Sequence, residues 1–147
     1  MPKLIAILEE ELSRIEIMRK WLSDRLWMYE PSISYGPNTL LEAIESRFSN
    51  VLVLCLSLEV LCRTEKSQSK VIDALQRQSE RFPILLYSND AVAESSKSIQ
   101  SKLNGWSVHF AGIPDLDSIG TNWYPALKKA IHQNAEYQAV KVSSDAD

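Results

Sequence analysis

Three consecutive carboxylates, Glu9, Glu10 and Glu11, close the short apolar run Leu4-Ile5-Ala6-Ile7-Leu8. Adjacent acids can hold a divalent cation, because Mg²⁺ keeps several waters and takes only one or two carboxylates plus a ligand's oxygens. Glu10 and Glu11 are the candidate metal ligands on that reading. The same charges suit the start of a helix, whose dipole favours anions, so a solvated acidic rim accounts for them without a metal. Ser88 and Asn89, ahead of Asp90, could hold an anion at a helix N-terminus or simply cap it. No histidine is placed by sequence to act as a base for Ser88. Cys55 lies inside Val51-Leu52-Val53-Leu54-Cys55-Leu56. Burial and neighbouring glutamates both penalise a thiolate, so Cys55 reads as a small apolar filler rather than a nucleophile. With Cys62 it forms neither a metal spacing nor a disulfide framework, and His109 and His132 belong to no ligand pattern.

The elements that must position these residues alternate. Apolar runs at Leu4–Leu8 and Val51–Leu56 read as buried strands covered on both faces, and Pro83–Tyr87 as a fourth strand. Trp27–Tyr35 contains Pro31, which removes a ladder donor and marks an edge strand. Trp106–Phe110 alternates as a half-buried last strand. Helical periods follow each strand: Leu12–Leu26, with Arg14, Arg19, Lys20 and Asp24 on its outer face; Thr39–Phe48, capped by Asn38; Lys70–Phe82; Asp90–Leu103, ended by Asn104-Gly105; and Asn122–Ala135. Arg63–Gln68 reads as a loop. Trp21, Trp27 and Trp123 are expected in the core. Five β-α units imply an α/β fold with a parallel sheet and helices on both faces, in the flavodoxin-like doubly wound (βα)5 order 2-1-3-4-5. Open sheets of this kind bind ligands outside the carboxyl ends of their strands, where Glu9–Glu11 fall.

A chain of 147 residues with a net charge of -3 suits one domain and gives no general attraction to nucleic acid or anionic lipid. No apolar run approaches the roughly 20 residues of a membrane span. One domain over 1–136, a polar and flexible tail over 137–147, and a cytoplasmic location are expected.

In this order the motifs resemble the response-regulator receiver domains, and most nearly the cyclic-phosphate-processing receiver-like branch. Leu8-Glu9-Glu10-Glu11-Leu12-Ser13-Arg14-Ile15 looks like that branch's opening, an acidic pair before a helix beginning with Arg and Ile. Val53–Glu59 is similar to the segment that carries an Asp-His-Asp triplet. Tyr87-Ser88-Asn89 resembles a fourth-strand ending that is usually His-Ser-x-Asn; Gly105-Trp106 and Trp123 also fit. The resemblance runs from Lys3 to His132. It places Glu10 and Glu11 at the Mg²⁺-holding acids, Cys55 at the aspartate nucleophile, Ser88 at the hydroxyl position and Ile113 at the lysine. Ser57 stands where the triplet has its second acid. A thiol cannot form an acyl phosphate, and Ile113 supplies no cation to balance phosphate charge.

The resemblance therefore implies a receiver scaffold with a degenerate pocket: a non-phosphorylatable pseudo-receiver serving as a protein-interaction or signalling module. It carries no catalytic residue and needs no cofactor; Mg²⁺ remains the one candidate ion. Its partner is a protein or a second copy, met through the last strand-helix face at Tyr87, Trp106, His109 and Phe110. Two other readings stay open. One is a metal-dependent enzyme handling a cyclic phosphate or phosphoester with Glu10, Glu11 and Ser88. The other is a small-ligand sensor using the crevice between strands one and three.

Overall fold

Strands paired on both sides and covered on both faces must be apolar throughout. In the computed structural model, which describes residues 3–45, 47–89 and 93–134, β1 (Leu4–Leu8) and β3 (Val51–Ser57) are buried at every position. They lie at the centre of a five-stranded parallel sheet with order β2-β1-β3-β4-β5. β2 (Glu30–Ser34) and β5 (Val108–Ala111) are the edges, and β4 (Ile84–Tyr87) completes the sheet. This is the flavodoxin-like α/β arrangement. Pro31 stands opposite Ile5 on the edge strand, where a missing donor costs no ladder bond on the outer side.

Side chains alternate between the two faces of the sheet. Leu4, Ala6, Leu8, Leu54, Leu56, Ile84 and Leu86 pack under α2 (Pro37–Glu45), α3 (Leu58–Leu61), α4 (Glu65–Gln76) and α5 (Ala93–Lys102). Ile5, Ile7, Val53, Cys55, Leu85 and Tyr87 face α1 (Leu12–Arg25) and α6 (Tyr124–His132). Among the described residues no helix is long and apolar enough to cross a membrane.

Several boundaries differ from the periodic reading, each for a local reason. Arg63–Gln68 is not a loop: Thr64 caps α4, its hydroxyl accepting the Ser67 amide at 3.0 Å, and Glu65 sits in the first turn. Ahead of it, Leu58–Leu61 winds into α3 because its leucines and valine reach the core. α2 begins at Pro37, whose fixed φ suits the first turn, so Asn38 lies inside the helix instead of capping it. Gly105 ends the α5 connection at φ +89°, a conformation glycine adopts without penalty. β5 starts at Val108, which leaves Trp106 before the strand. A π-helical turn, Ile119–Trp123, precedes α6, and a side chain at Gly120 would come within 2.7 Å of the Trp21 ring. Trp123 is fully buried as expected, but Trp27 is 75% exposed at the tip of the α1–β2 connection. The expected Asp90 cap, Ala135 at the end of α6 and the tail 137–147 lie outside the described residues.

Candidate functional site: the carboxyl edge of the central strands

Register brings the ends of three strands level. Leu8 pairs with Leu56, and Ser57 pairs with Tyr87, so Glu9, Ser57 and Tyr87 form one row at the carboxyl edge. Glu9 shares the parity of Ile5 and Ile7, and it is only 1% exposed. A buried carboxylate needs partners on its lone pairs. Oε2 of Glu9 accepts the backbone amides of Glu10 at 2.9 Å and Glu11 at 3.1 Å, which turns the chain into α1. Oε1 accepts the Tyr87 hydroxyl at 3.0 Å. The same phenol oxygen lies 3.3 Å from the Leu8 carbonyl; with one proton to donate, the shorter contact is the stronger one. To reach β1 from β4 the Tyr87 side chain crosses the end of β3, which lies between them. The crevice between β1 and β3 is thus occupied by the protein's own tyrosine.

Charge is balanced internally as well. Arg14 leaves α1 one residue before the buried Ile15, and its side chain is only 12% exposed. Its Nη1 stands 3.8 Å from Oε1 of Glu9 and 3.4 Å from Oε2 of Glu59, and its Nε lies 3.7 Å from Oδ1 of Asp115. Burial alone would lower the Arg14 pKa, but the charges of Glu59, Glu9 and Asp115 outweigh it and raise the value above the ordinary arginine range. Glu59 also accepts from Nδ2 of Asn89 at 3.4 Å, which links α3 to the end of β4.

The residues singled out by sequence fall around this network in different ways. Glu10 and Glu11 are both exposed. Glu10 is held by the guanidinium of Arg63, with Nη1 at 2.7 Å from Oε2 and Nη2 on Oε1. That hydrogen bond, with the Arg63 charge, holds the Glu10 carboxyl below its ordinary value. Glu11 accepts the Ser13 hydroxyl at 3.1 Å. The buried member of the acidic triplet is therefore Glu9, not the pair expected to hold a metal. Among the described residues no group of three or more His, Cys, Asp or Glu is arranged to hold a metal ion.

Cys55, level with Ile7 and Leu85, is fully buried, and desolvation pushes its thiol far up. Ser57 is 1% exposed beside it. Ser88 is half-buried and its amide donates to the Ala111 carbonyl at 3.2 Å. Ile113 packs into the α1–α6 layer, and its carbonyl accepts the Ser118 hydroxyl at 2.9 Å. Two residues farther on, Asp115 pairs with Arg14 of α1. Ser88, Asn89, Phe110 and Asn122 line an open groove of about 350 Å³ between the ends of β4 and β5.

The aromatic surface expected on the last strands is smaller than its sequence suggests. Tyr87 is 0% exposed, because its phenol belongs to the Glu9 network. Trp106 is covered, with its ring edge-on to Phe82 at 5.0 Å and Arg81 stacked on it at 4.5 Å. His109 is half-buried, with Nε2 2.9 Å from Oε1 of Gln133, and Phe110 is 45% exposed. Only these last two offer a surface.

The sequence puts Glu9 at the strand end but points to Glu10 and Glu11 as ligands, and it gives Arg14, Glu59 and Asp115 no role in the site. Strand parity marks Glu9, and adjacency to Ile15 marks Arg14; nothing local marks Glu59 or Asp115, which reach the site only through the fold. The chain matches no family model, no curated protein and no solved structure.

Proposed function

We propose that this chain is a receiver-like module without a phosphoacceptor, which acts in signalling or regulation by binding a protein partner. The observation that carries the reading is the state of Glu9. Its carboxylate is used up by Tyr87, by two backbone amides and by the nearby Arg14 charge. Receiver chemistry needs an acid open to Mg²⁺ beside a carboxylate nucleophile. Here the nucleophile position holds a buried thiol whose ionisation is strongly disfavoured, and a tyrosine lies across it. A tethered guanidinium does the neutralising work that a bound cation does in a phosphorylatable site. Output then rests on surface, and the exposed Phe110 with His109 on the β5 edge is where a partner meets the sheet.

Incubation with acetyl phosphate and Mg²⁺, followed by intact mass spectrometry, tests this directly. No phosphoryl adduct is expected. A stoichiometric, hydroxylamine-labile adduct would overturn the reading.

A further inference from the structure

The Glu9 network fills the carboxyl edge at β1 and β3, but the groove between the ends of β4 and β5 stays open. Its volume, about 350 Å³, falls in the range of small-ligand sites, and open parallel sheets bind ligands at this edge. Every described residue that lines it is uncharged. Phe110, 45% exposed, is its aromatic wall, and Ser88 and Asn122 bring hydrogen-bonding groups to it. Asn122 stands in the π-helical turn, and its Oδ1 accepts the Gly112 amide at 2.8 Å. That bond commits the oxygen of the side-chain amide. The two Nδ2 hydrogens have no acceptor among the described residues. The close approach depends on Gly112, because a side chain there would come within 2.8 Å of Nδ2. The Ser88 hydroxyl, which can donate and accept, likewise has no partner among the described residues.

We propose that this groove binds an uncharged sugar, a pyranose ring seated with C–H groups on Phe110 and hydroxyls on Asn122 and Ser88. Three features select that chemistry. With no charged side chain among its described lining, the groove gives a phosphate or carboxylate nothing to offset lost hydration. An amide left only with donors, beside a hydroxyl that does both, calls for ligand groups that accept as well as donate, as alcohols do. The groove is open, with Phe110 as its aromatic wall. A pyranose can set C–H groups against that ring and leave its remaining hydroxyls in water, whereas a planar base would keep one apolar face in solvent. The inference is independent of the receiver-like reading, which gives Asn122 no role.

The test is a titration of the ¹⁵N-labelled full chain with methyl β-galactoside and methyl β-glucoside, with uridine and inorganic phosphate as comparison ligands. At least one glycoside should give saturable shifts at the amides of Phe110 and Gly112 and at the Asn122 side-chain amide. A Kd of about 1–10 mM is expected for so small a ligand in an open groove. Phe110→Ala and Asn122→Ala should each weaken binding about tenfold, whereas Phe110→Tyr should stay within about threefold of wild type. Both positions are exposed, and unchanged amide resonances in β1 and β3 separate loss of binding from loss of fold. No saturable shift with either glycoside up to about 100 mM, or shifts centred outside the groove, would overturn the proposal. So would binding that survives both alanine variants, a Phe110→Tyr variant as weak as Phe110→Ala, or tighter binding of uridine or phosphate.

Discussion

Tyr87→Ala is expected to cost about 3–5 kcal/mol of folding stability in urea denaturation, among the largest effects of any single truncation in this chain. The ring is fully buried and stands edge-on to Trp123 at 6.2 Å, so its removal leaves a cavity against a large neighbour. Tyr87→Phe isolates the hydroxyl. It keeps the ring but strips the buried Glu9 of a donor, at a cost of about 1–2 kcal/mol. The phenol also predicts a pH dependence. Burial, then the Glu9 charge, raises its pKa well above the ordinary value of 10.0 in the folded chain. A raised folded-state pKa means that the contribution is complete below the unfolded value and is lost as pH climbs beyond it. Wild type should therefore lose stability above pH 10 more steeply than Tyr87→Phe, by one proton, or about 1.4 kcal/mol per pH unit. Parallel alkaline slopes for the two proteins would show that the phenol is not buried on the Glu9 carboxylate.

Arg14→Ala is the second large effect, at about 2 kcal/mol, again read from urea midpoints. Glu59 and Asp115 are 36% and 52% exposed, so their pairing with Arg14 is screened by solvent and contributes little. Most of the cost comes from Glu9, which stays buried at 1% with its nearest counter-charge gone. The control is Arg63→Ala. It breaks an ion pair with Glu10 in which both partners are exposed and screened by solvent, so its cost should fall well below that of Arg14→Ala. If the two arginine variants cost the same, burial of Glu9 is not what makes Arg14 matter. In the Glu9→Gln background the Arg14→Ala penalty should shrink, because the carboxylate charge that needed compensation is gone.

Much of the scaffold is legible in the sequence because burial on both faces leaves a plain mark. Val51–Leu56 and Leu4–Leu8 are unbroken apolar runs, Pro31 betrays an edge, and the helices between them keep their stripes. Less legible are elements whose apolar content is short or whose start is set by a cap. α3 is a single turn, and α4 begins at Thr64, inside a stretch that composition makes look like loop. The site is less legible for a different reason. Glu9, Glu10 and Glu11 are identical in chemistry, and only the parity of β1 decides which one turns inward. Tyr87 looks like a surface aromatic at a strand end until register shows that its hydroxyl reaches across β3 to Glu9. Arg14 looks like part of a charged outer face, yet the loop carrying Asp115 folds over it. Such groups are set by contacts some 80 to 100 residues apart in the chain, which no local pattern encodes.

On the function proposed above, the carboxyl edge of β1, β3 and β4 is closed by its own side chains and takes neither Mg²⁺ nor a phosphoryl group. The most direct measurement is a titration of the ¹⁵N-labelled chain with Mg²⁺ and then beryllofluoride, followed through the amide resonances of Glu9, Glu10, Ser57 and Ser88. The expected result is no saturable shift at these amides up to millimolar ligand, with the Tyr87 hydroxyl proton still protected from exchange. Saturable shifts at Glu9 and Ser57 with loss of that protection would overturn this reading, since they would mean that the tyrosine yields the site to a ligand.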